Sequence, residues 1–216
     1  MEEIMNQIEQ RCDQDLAFML RYENVAWYED GKVRILDRRC YPTKIEFVVC
    51  ENYHEVTKAI TTMVTQSAGP YTAAGMGMVL AAYQCKDKTK TQQIEVLNQA
   101  AFELSHGRPT TVNRMVQVTD GCLLKGMEAI NRGENVVDAI FERTIESLNR
   151  RYTTMNIVGE HLATKFPHNG KILTQCFGET IIGTMLRAAR KNQNEIKLFC
   201  AETRPYLQGS RLTASC

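Results

Sequence analysis

Cys176 is the residue with the most chemical promise in this sequence. A short apolar run, Ile172-Leu173-Thr174, leads into it; Gly178 follows, and then Ile181, Ile182, Met185 and Leu186 recur at helical spacing. The pattern predicts a buried strand over 172–175, a tight turn, and a helix over about 178–191. That order places one thiol at the carboxyl end of a strand, where open α/β sheets bind their ligands. Position alone leaves two roles open for it, a nucleophile or a buried thiol. The other seven cysteines, at 12, 40, 50, 85, 122, 200 and 216, read as small buried hydrophobes. No C-x-x-C pair occurs, so a structural zinc site is not expected, and without a secretory leader neither are disulfides.

Three polar groups accompany the thiol. Gln66-Ser67-Ala68-Gly69 forms a junction between two predicted helices, and the backbone N–H groups of such a turn can bind an anion or simply make an ordinary polar turn. Arg108 stands just before a helix start and can pair with a phosphate or carboxylate, or remain a solvated surface arginine. Glu202, Arg204 and Gln208 follow a second predicted strand at its carboxyl end, the side on which loops carry sites. The four histidines (54, 106, 161, 168) form no metal spacing, and no G-x-G-x-x-G follows a strand; Gly75-Met76-Gly77 lies in a predicted helix.

The elements that must position these groups are legible from periodicity. Ile4, Ile8, Cys12, Leu16 and Met19 predict a helix over 2–20. Asp30-Gly31 between Val25–Tyr28 and Val33–Leu36 predicts a hairpin, and 45–50 a third strand. Asn52 with Glu55 predicts a capped helix over 53–64. The next helix is rich in small residues (Ala73, Ala74, Gly75, Gly77, Ala81, Ala82), which suits tight packing or close approach to a ligand. Helices follow over 89–104, from Pro109 onward, and over 135–165, where Gly159 weakens the pattern. The last part reads as strand, helix, strand (196–200) and the start of another helix at Ser210.

The resulting fold class is α/β: a helical amino-terminal domain with a small antiparallel sheet (1–135), a bridging helix (136–169), and an incomplete Rossmann-like parallel-sheet domain (170–216). Two parallel strands make no stable open sheet by themselves, so the sequence is expected to stop in mid-domain, with exposed apolar edges and poor solubility. With 44% hydrophobic and 24% charged residues and a net charge of +1 over 216 residues, the composition points to neither nucleic acid nor a membrane surface. No apolar run reaches the roughly 20 residues of a membrane span, and the acidic start is unlike a secretory leader, so a cytoplasmic location is expected.

Glu202-Thr-Arg-Pro-Tyr-Leu-Gln-Gly-Ser-Arg-Leu-Thr213 resembles the E-T-R-P-x-x-Q-G-x-R-L-T signature of a sugar-phosphate isomerase family. The family includes S-methyl-5-thioribose-1-phosphate, 5-deoxyribose-1-phosphate and ribose-1,5-bisphosphate isomerases, and the regulatory alpha, beta and delta subunits of initiation factor 2B. Arg108–Asn113 resembles its R-P-T-x-x-N and Ile172–Cys176 its I-L-T-x-C. The likeness runs along nearly all of the chain but reaches only the family's amino-terminal part.

The resemblance implies an aldose–ketose isomerase of methionine or 5-deoxyribose salvage, converting a 5-substituted ribose 1-phosphate to the ribulose 1-phosphate. The alternatives it implies are a non-catalytic regulatory subunit and an inactive fragment. It assigns Cys176 an acid/base role, with a pKa set by burial against nearby helix dipoles. Substrate binding falls to Gln66, Ser67, Ala68, Arg108 and Gln208, with Arg108 and Gln208 on the phosphate. No metal or organic cofactor is implied, nor nucleic acid or membrane, and the full-length protein is expected to be a homodimer. Two departures stand out. Gln66-Ser67-Ala68-Gly69-Pro70 replaces the family's R-G-A-P, which brings the chain closer to the 5-deoxyribose branch. The family's catalytic aspartate and a phosphate-contacting Asn-Lys pair lie beyond the E-T-R-P signature, past Cys216. The expected outcome is that the 216-residue chain alone gives no ketose from methylthioribose or 5-deoxyribose 1-phosphate; turnover abolished by Cys176→Ser would demand another residue in the aspartate's role.

Overall fold

The computed structural model describes residues 11–216. The expected helix over 2–20 falls partly outside this range, and within it the helix is absent. Residues 11–17 are irregular, and only a 3-10 turn, Phe18–Leu20, precedes the one-turn helix α1 (Tyr22–Val25). Asp13 explains the difference. Its buried carboxylate accepts from the Tyr22 N–H (2.9 Å) and pairs with Arg11 (2.5 Å), while Asp15 takes a left-handed φ of 63°. Leu16 and Met19 of the predicted stripe are buried all the same, Leu16 from the irregular stretch and Met19 from the 3-10 turn.

β1 (Ala26–Glu29), β2 (Lys32–Leu36) and β3 (Phe47–Cys50) form an antiparallel sheet in the order β1-β2-β3. Asp30 (φ 48°) and Gly31 (φ 77°) make the predicted tight turn, opposite the closing pair Glu29 and Lys32. Asn52 caps α2 (Tyr53–Thr61) by accepting from the Glu55 N–H at 3.0 Å. Glu55 reaches back to the Glu51 N–H (2.7 Å) rather than to Asn52, so the box is displaced by one residue, and α2 ends three residues early.

The helices α3 (Gly69–Cys85), α4 (Lys90–His106), α5 (Val112–Arg132) and α6 (Val136–Ala163) pack around α3. α3 is apolar on every side and buried from Thr72 to Ala82, the environment such a helix requires. Thr89 with Gln92 forms a full capping box for α4, and Asn135 caps α6 through the Val137 N–H. α6 runs through Gly159 without a break. A Cβ there would lie 2.9 Å from the Met185 backbone nitrogen, so the missing side chain lets α7 (Thr180–Lys191) approach.

β4 (Lys171–Gln175) and β5 (Lys197–Ala201) pair in parallel, Ile172 opposite Leu198, with α7 as the crossover. The expected buried strand is a correction: β4 alternates, and Leu173 is 74% and Phe199 51% exposed. A two-stranded sheet covered by one helix leaves its other face to solvent. α8 (Gln208–Arg211) and a 3-10 turn follow. Two apolar cores result. The larger joins the antiparallel sheet to α2–α6; the smaller gathers Leu20, Tyr22, Leu36, Tyr152, Phe177 and Leu212 from both ends of the chain. Phe141 belongs to the first and meets Trp27 edge-on with ring centroids 5.3 Å apart. Phe141→Ala should cost about 3–5 kcal/mol in urea denaturation, the range for an emptied aromatic site.

Candidate functional site

Two buried charges organise the region around Cys176. Arg38, just after β2, and Glu179, just before α7, are both fully buried and lie 3.1 Å apart, Nη2 to Oε1. Arg38 also donates to the carbonyls of Gln66 (2.7 Å) and Met19 (3.2 Å). The second carboxylate oxygen of Glu179 accepts from the Ala68 N–H at 2.7 Å. The Phe177 ring lies 5.6 Å from the Arg38 guanidinium carbon. The pair therefore holds three segments together: the end of β2, the Gln66–Ala68 turn and the turn after Cys176. In this structure the anion at the Ala68 N–H is the protein's own Glu179.

Cys176 sits at the carboxyl end of β4, partly exposed, with a left-handed φ of 62° that side chains other than glycine seldom adopt. Two threonines hold it there. Its N–H donates to Thr203 Oγ1 (2.9 Å) and its carbonyl accepts from Thr213 Oγ1 (2.5 Å). Thr203 Oγ1 in turn donates to the Ala201 carbonyl, linking the ends of β4 and β5. Such over-determined strain is found where a side chain must be aimed. By contrast, burial pushes the thiols of Cys50 and Cys216 up to about 12 and that of Cys122 to about 11, as the hydrophobe reading requires.

Next to the Arg38–Glu179 pair, and linked to it through Gln66 and Arg211, lies an open cleft of about 560 Å³ between the segment from Thr61 to Gln66 and the loop from Pro205 to Arg211; Cys176 is not among its lining residues. Gln66 lines it directly; its amide oxygen is buried and has no hydrogen-bond partner. Gln208 follows the lining residue Leu207 at the amino end of α8. Arg108 is linked to the rim through its neighbour, since the Gly107 carbonyl accepts from Thr61 Oγ1 at 2.8 Å. Ser67 holds the turn open with φ 58°. Arg39 also lines the cleft, and its hydrogen bonds to Asp37 hold that carboxyl below its ordinary range. Glu202 and Arg204 pair with each other at the surface (2.6 Å), and all four histidines are exposed. Among the described residues no cluster of His, Cys, Asp and Glu could hold a metal ion.

Five positioning residues, Arg38, Glu179, Thr203, Arg211 and Thr213, escaped the sequence reading. Arg38 and Glu179 are 141 residues apart, and nothing in the local sequence of either announces the other. Thr203 stands in the E-T-R-P part of the signature and Arg211 and Thr213 in its R-L-T part, which was the available signal. Arg211 donates to the carbonyls of Arg38, Arg39, Tyr41 and Tyr206 and so closes one wall of the cleft. The signature glycine, Gly209, has a steric reason: a Cβ would fall 1.7 Å from the Ala201 carbonyl oxygen. Glu179→Ala should lower stability by about 3–5 kcal/mol, because it leaves Arg38 buried and uncompensated, and joint replacement as Arg38→Met with Glu179→Leu should restore most of that; a chemical denaturation series reads both.

Comparison with known proteins supports a common architecture. The chain is 32% identical over 204 residues to the methylthioribose-1-phosphate isomerase of Chloroflexus aurantiacus, covering 88% of this chain and 57% of that protein. It is 31% identical over 209 residues to the isomerase of the same name from Desulforamulus reducens, covering 88% and 58%. Among solved structures, the translation initiation factor eIF-2B subunit delta of A. fulgidus matches with a TM-score of 0.73 and 26% identity, over 88% of this chain and 58% of that one. The 5-methylthioribose 1-phosphate isomerase of Pyrococcus horikoshii OT3 shares the fold, with a TM-score of 0.72 and 24% identity over 91% and 58%. The chain thus spans a little over half the length of these relatives. The profile of one family matches residues 65–216, which contain the Gln66–Ala68 turn, Cys176 and the signature loop. The chain belongs to the initiation factor 2 subunit family.

Proposed function

We propose that this chain carries the thiol and the substrate-binding half of a sugar-phosphate isomerase site. The reaction would be the aldose-to-ketose conversion of a 5-substituted ribose 1-phosphate. The observation that carries the reading is the left-handed, twice-anchored backbone of Cys176 at the end of β4, in a chain whose cleft is lined by Gln66, with Gln208 next to the lining residue Leu207 and Arg108 next to Gly107, which Thr61 of the rim bonds. A ribose 1-phosphate cannot open its ring without help, because the anomeric oxygen is blocked. The site must assist cleavage of the ring C–O bond and move hydrogen from carbon 2 to carbon 1. A partly exposed thiol can give or take a proton in that transfer.

Charge decides how the substrate is divided among the candidates. Arg108 is the cationic member and suits the phosphate, with Gln208 and Ser67 as neutral donors beside it. The turn Gln66-Ser67-Ala68-Gly69-Pro70, which stands for the family's R-G-A-P, has no cationic side chain, and the buried amide oxygen of Gln66 is an acceptor suited to a sugar hydroxyl. Ala68 can give its N–H to the phosphate only when Glu179 moves away from it. The names of the relatives support methylthioribose 1-phosphate as substrate, whereas the absence of an arginine from the turn before Pro70 favours 5-deoxyribose 1-phosphate. The full protein is proposed to work as a cytoplasmic homodimer in salvage of such sugars; no described helix is long and apolar enough to cross a membrane.

A non-catalytic reading, in which the same fold only senses a phosphorylated metabolite, is supported by the likeness to the initiation factor subunit. Cys176 favours the enzyme, since a sensor has no need of a strained thiol. The test is alkylation with iodoacetamide followed by mass spectrometry. Either ribose 1-phosphate derivative, at saturation, should slow modification of Cys176 by about fivefold or more and leave Cys40 unaffected. Arg108→Ala should weaken binding roughly tenfold, the worth of one charge-assisted phosphate contact. Unchanged Cys176 reactivity in the presence of both sugar phosphates would sink the proposal.

A further inference from the structure

Away from the cleft, α5 and α6 turn two matching stripes toward each other. On α6, Arg143, Ser147, Arg150 and Arg151 recur at three-, four- and seven-residue spacing; on α5, Gln117 and Val118 follow Arg114 by three and four residues. Between the stripes lie two adjoining cavities that share Arg114 and Ser147. One is closed by Arg151 with Thr72 and Tyr71, the other by Arg143 and Arg150. Four arginines face this groove in a chain whose net charge is only +1. None of the residues lining either cavity is a carboxylate.

The partners these arginines have are mostly neutral. Arg114 donates to the Gln117 amide (2.8 Å), and Arg151 to the Ala68 carbonyl and the Thr72 hydroxyl (both 3.1 Å). The Nε of Arg151 is buried and has no partner. Arg143 reaches Glu146 at 3.6 Å, but that carboxylate is 69% exposed and turned to solvent. The guanidinium of Arg143 instead lies flat along α5, where the absent side chain of Gly121 leaves room: a Cβ there would be 3.0 Å from Nη2. Like charges brought together with only one exposed carboxylate near them repel one another, and an anion seated among them relieves that repulsion. Arginine forks match tetrahedral oxyanions in particular. The cavity between Arg143 and Arg150 has a volume of about 60 Å³, room for several waters or one such anion.

We propose that the α5–α6 groove is a phosphate-binding site, separate from the cleft lined by Gln66 and Arg211, that takes the phosphomonoester group of a small metabolite. Arg114 and Arg143 grip the phosphate from the two helices, Arg150 neutralises it from the rim, and Ser147 supplies a hydroxyl. Arg151 stands between this groove and the Gln66–Ala68 turn, through its bond to the Ala68 carbonyl. The proposal does not depend on the isomerase reading, because it uses none of the residues assigned there.

The experiment uses inorganic phosphate as the probe, by titration calorimetry at constant ionic strength balanced with chloride. The parent is Arg108→Ala, which removes the contact assigned to the substrate phosphate. This parent should still bind phosphate, and adding Arg114→Gln with Arg143→Gln should weaken that binding at least tenfold while circular dichroism stays unchanged. Arg150→Gln, at an exposed position, should weaken it about threefold and serves if the combined variant does not fold. Absence of phosphate binding in the parent, or binding that neither set of substitutions alters, would overturn the proposal.

Discussion

The buried pair of Arg38 and Glu179 is the contact on which the arrangement of the site depends. Neither charge reaches solvent, so each is held from within, by an ion pair, two carbonyls and one N–H, with only the Nε of Arg38 left without a partner. Those extra bonds reach into segments far apart in the chain. The guanidinium orders the Gln66 carbonyl, and the carboxylate orders the Ala68 N–H, so the turn between α2 and α3 is held at both ends. The same carboxylate fixes the turn that follows Cys176. A pair of this kind adds little net stability over a well-packed apolar substitute, but it strongly penalises any other arrangement of the three segments.

Packing supplies the frame for that contact. α3 is buried on all sides because its small residues leave no bulk to hold neighbouring helices away. α6 then reaches from the helical part to the parallel strands, with Gly159 permitting the close approach of α7. The smaller core seals the junction: Tyr152 donates to the Leu20 carbonyl (2.6 Å), and Tyr22 to Asn149 (2.6 Å). Arg211 finishes the cleft wall by collecting four carbonyls. The strained backbone of Cys176 is affordable only inside this network, where threonines from two later segments hold its N–H and its carbonyl.

Local signals carried much of the element map. Asp30-Gly31 turns tightly and Asn52 caps as their types dictate, and α3 through α6 lie within a few residues of their periodic patterns. The readings that failed were those that needed a partner. The 2–20 periodicity looked helical, yet Asp13 is bound by the distant Tyr22 N–H and by Arg11, and the described part of that segment is irregular. The apolar run before Cys176 looked buried, but burial on both faces requires a second covering layer, and Leu173 meets solvent.

By itself the sequence determined the order of helices and strands, the α/β class, the thiol at the end of β4 and the signature loop after β5. Each of these rests on neighbours within a turn or two along the chain, where spacing and capping chemistry act directly. Tertiary structure alone decided which charge meets which. It gave Glu179, not an outside anion, to the Ala68 N–H, turned Arg211 into a clasp, and set four arginines around one groove. Such pairings join residues more than a hundred positions apart or on different helices. They are selected by burial, because a charge removed from water accepts only a partner that satisfies it in place.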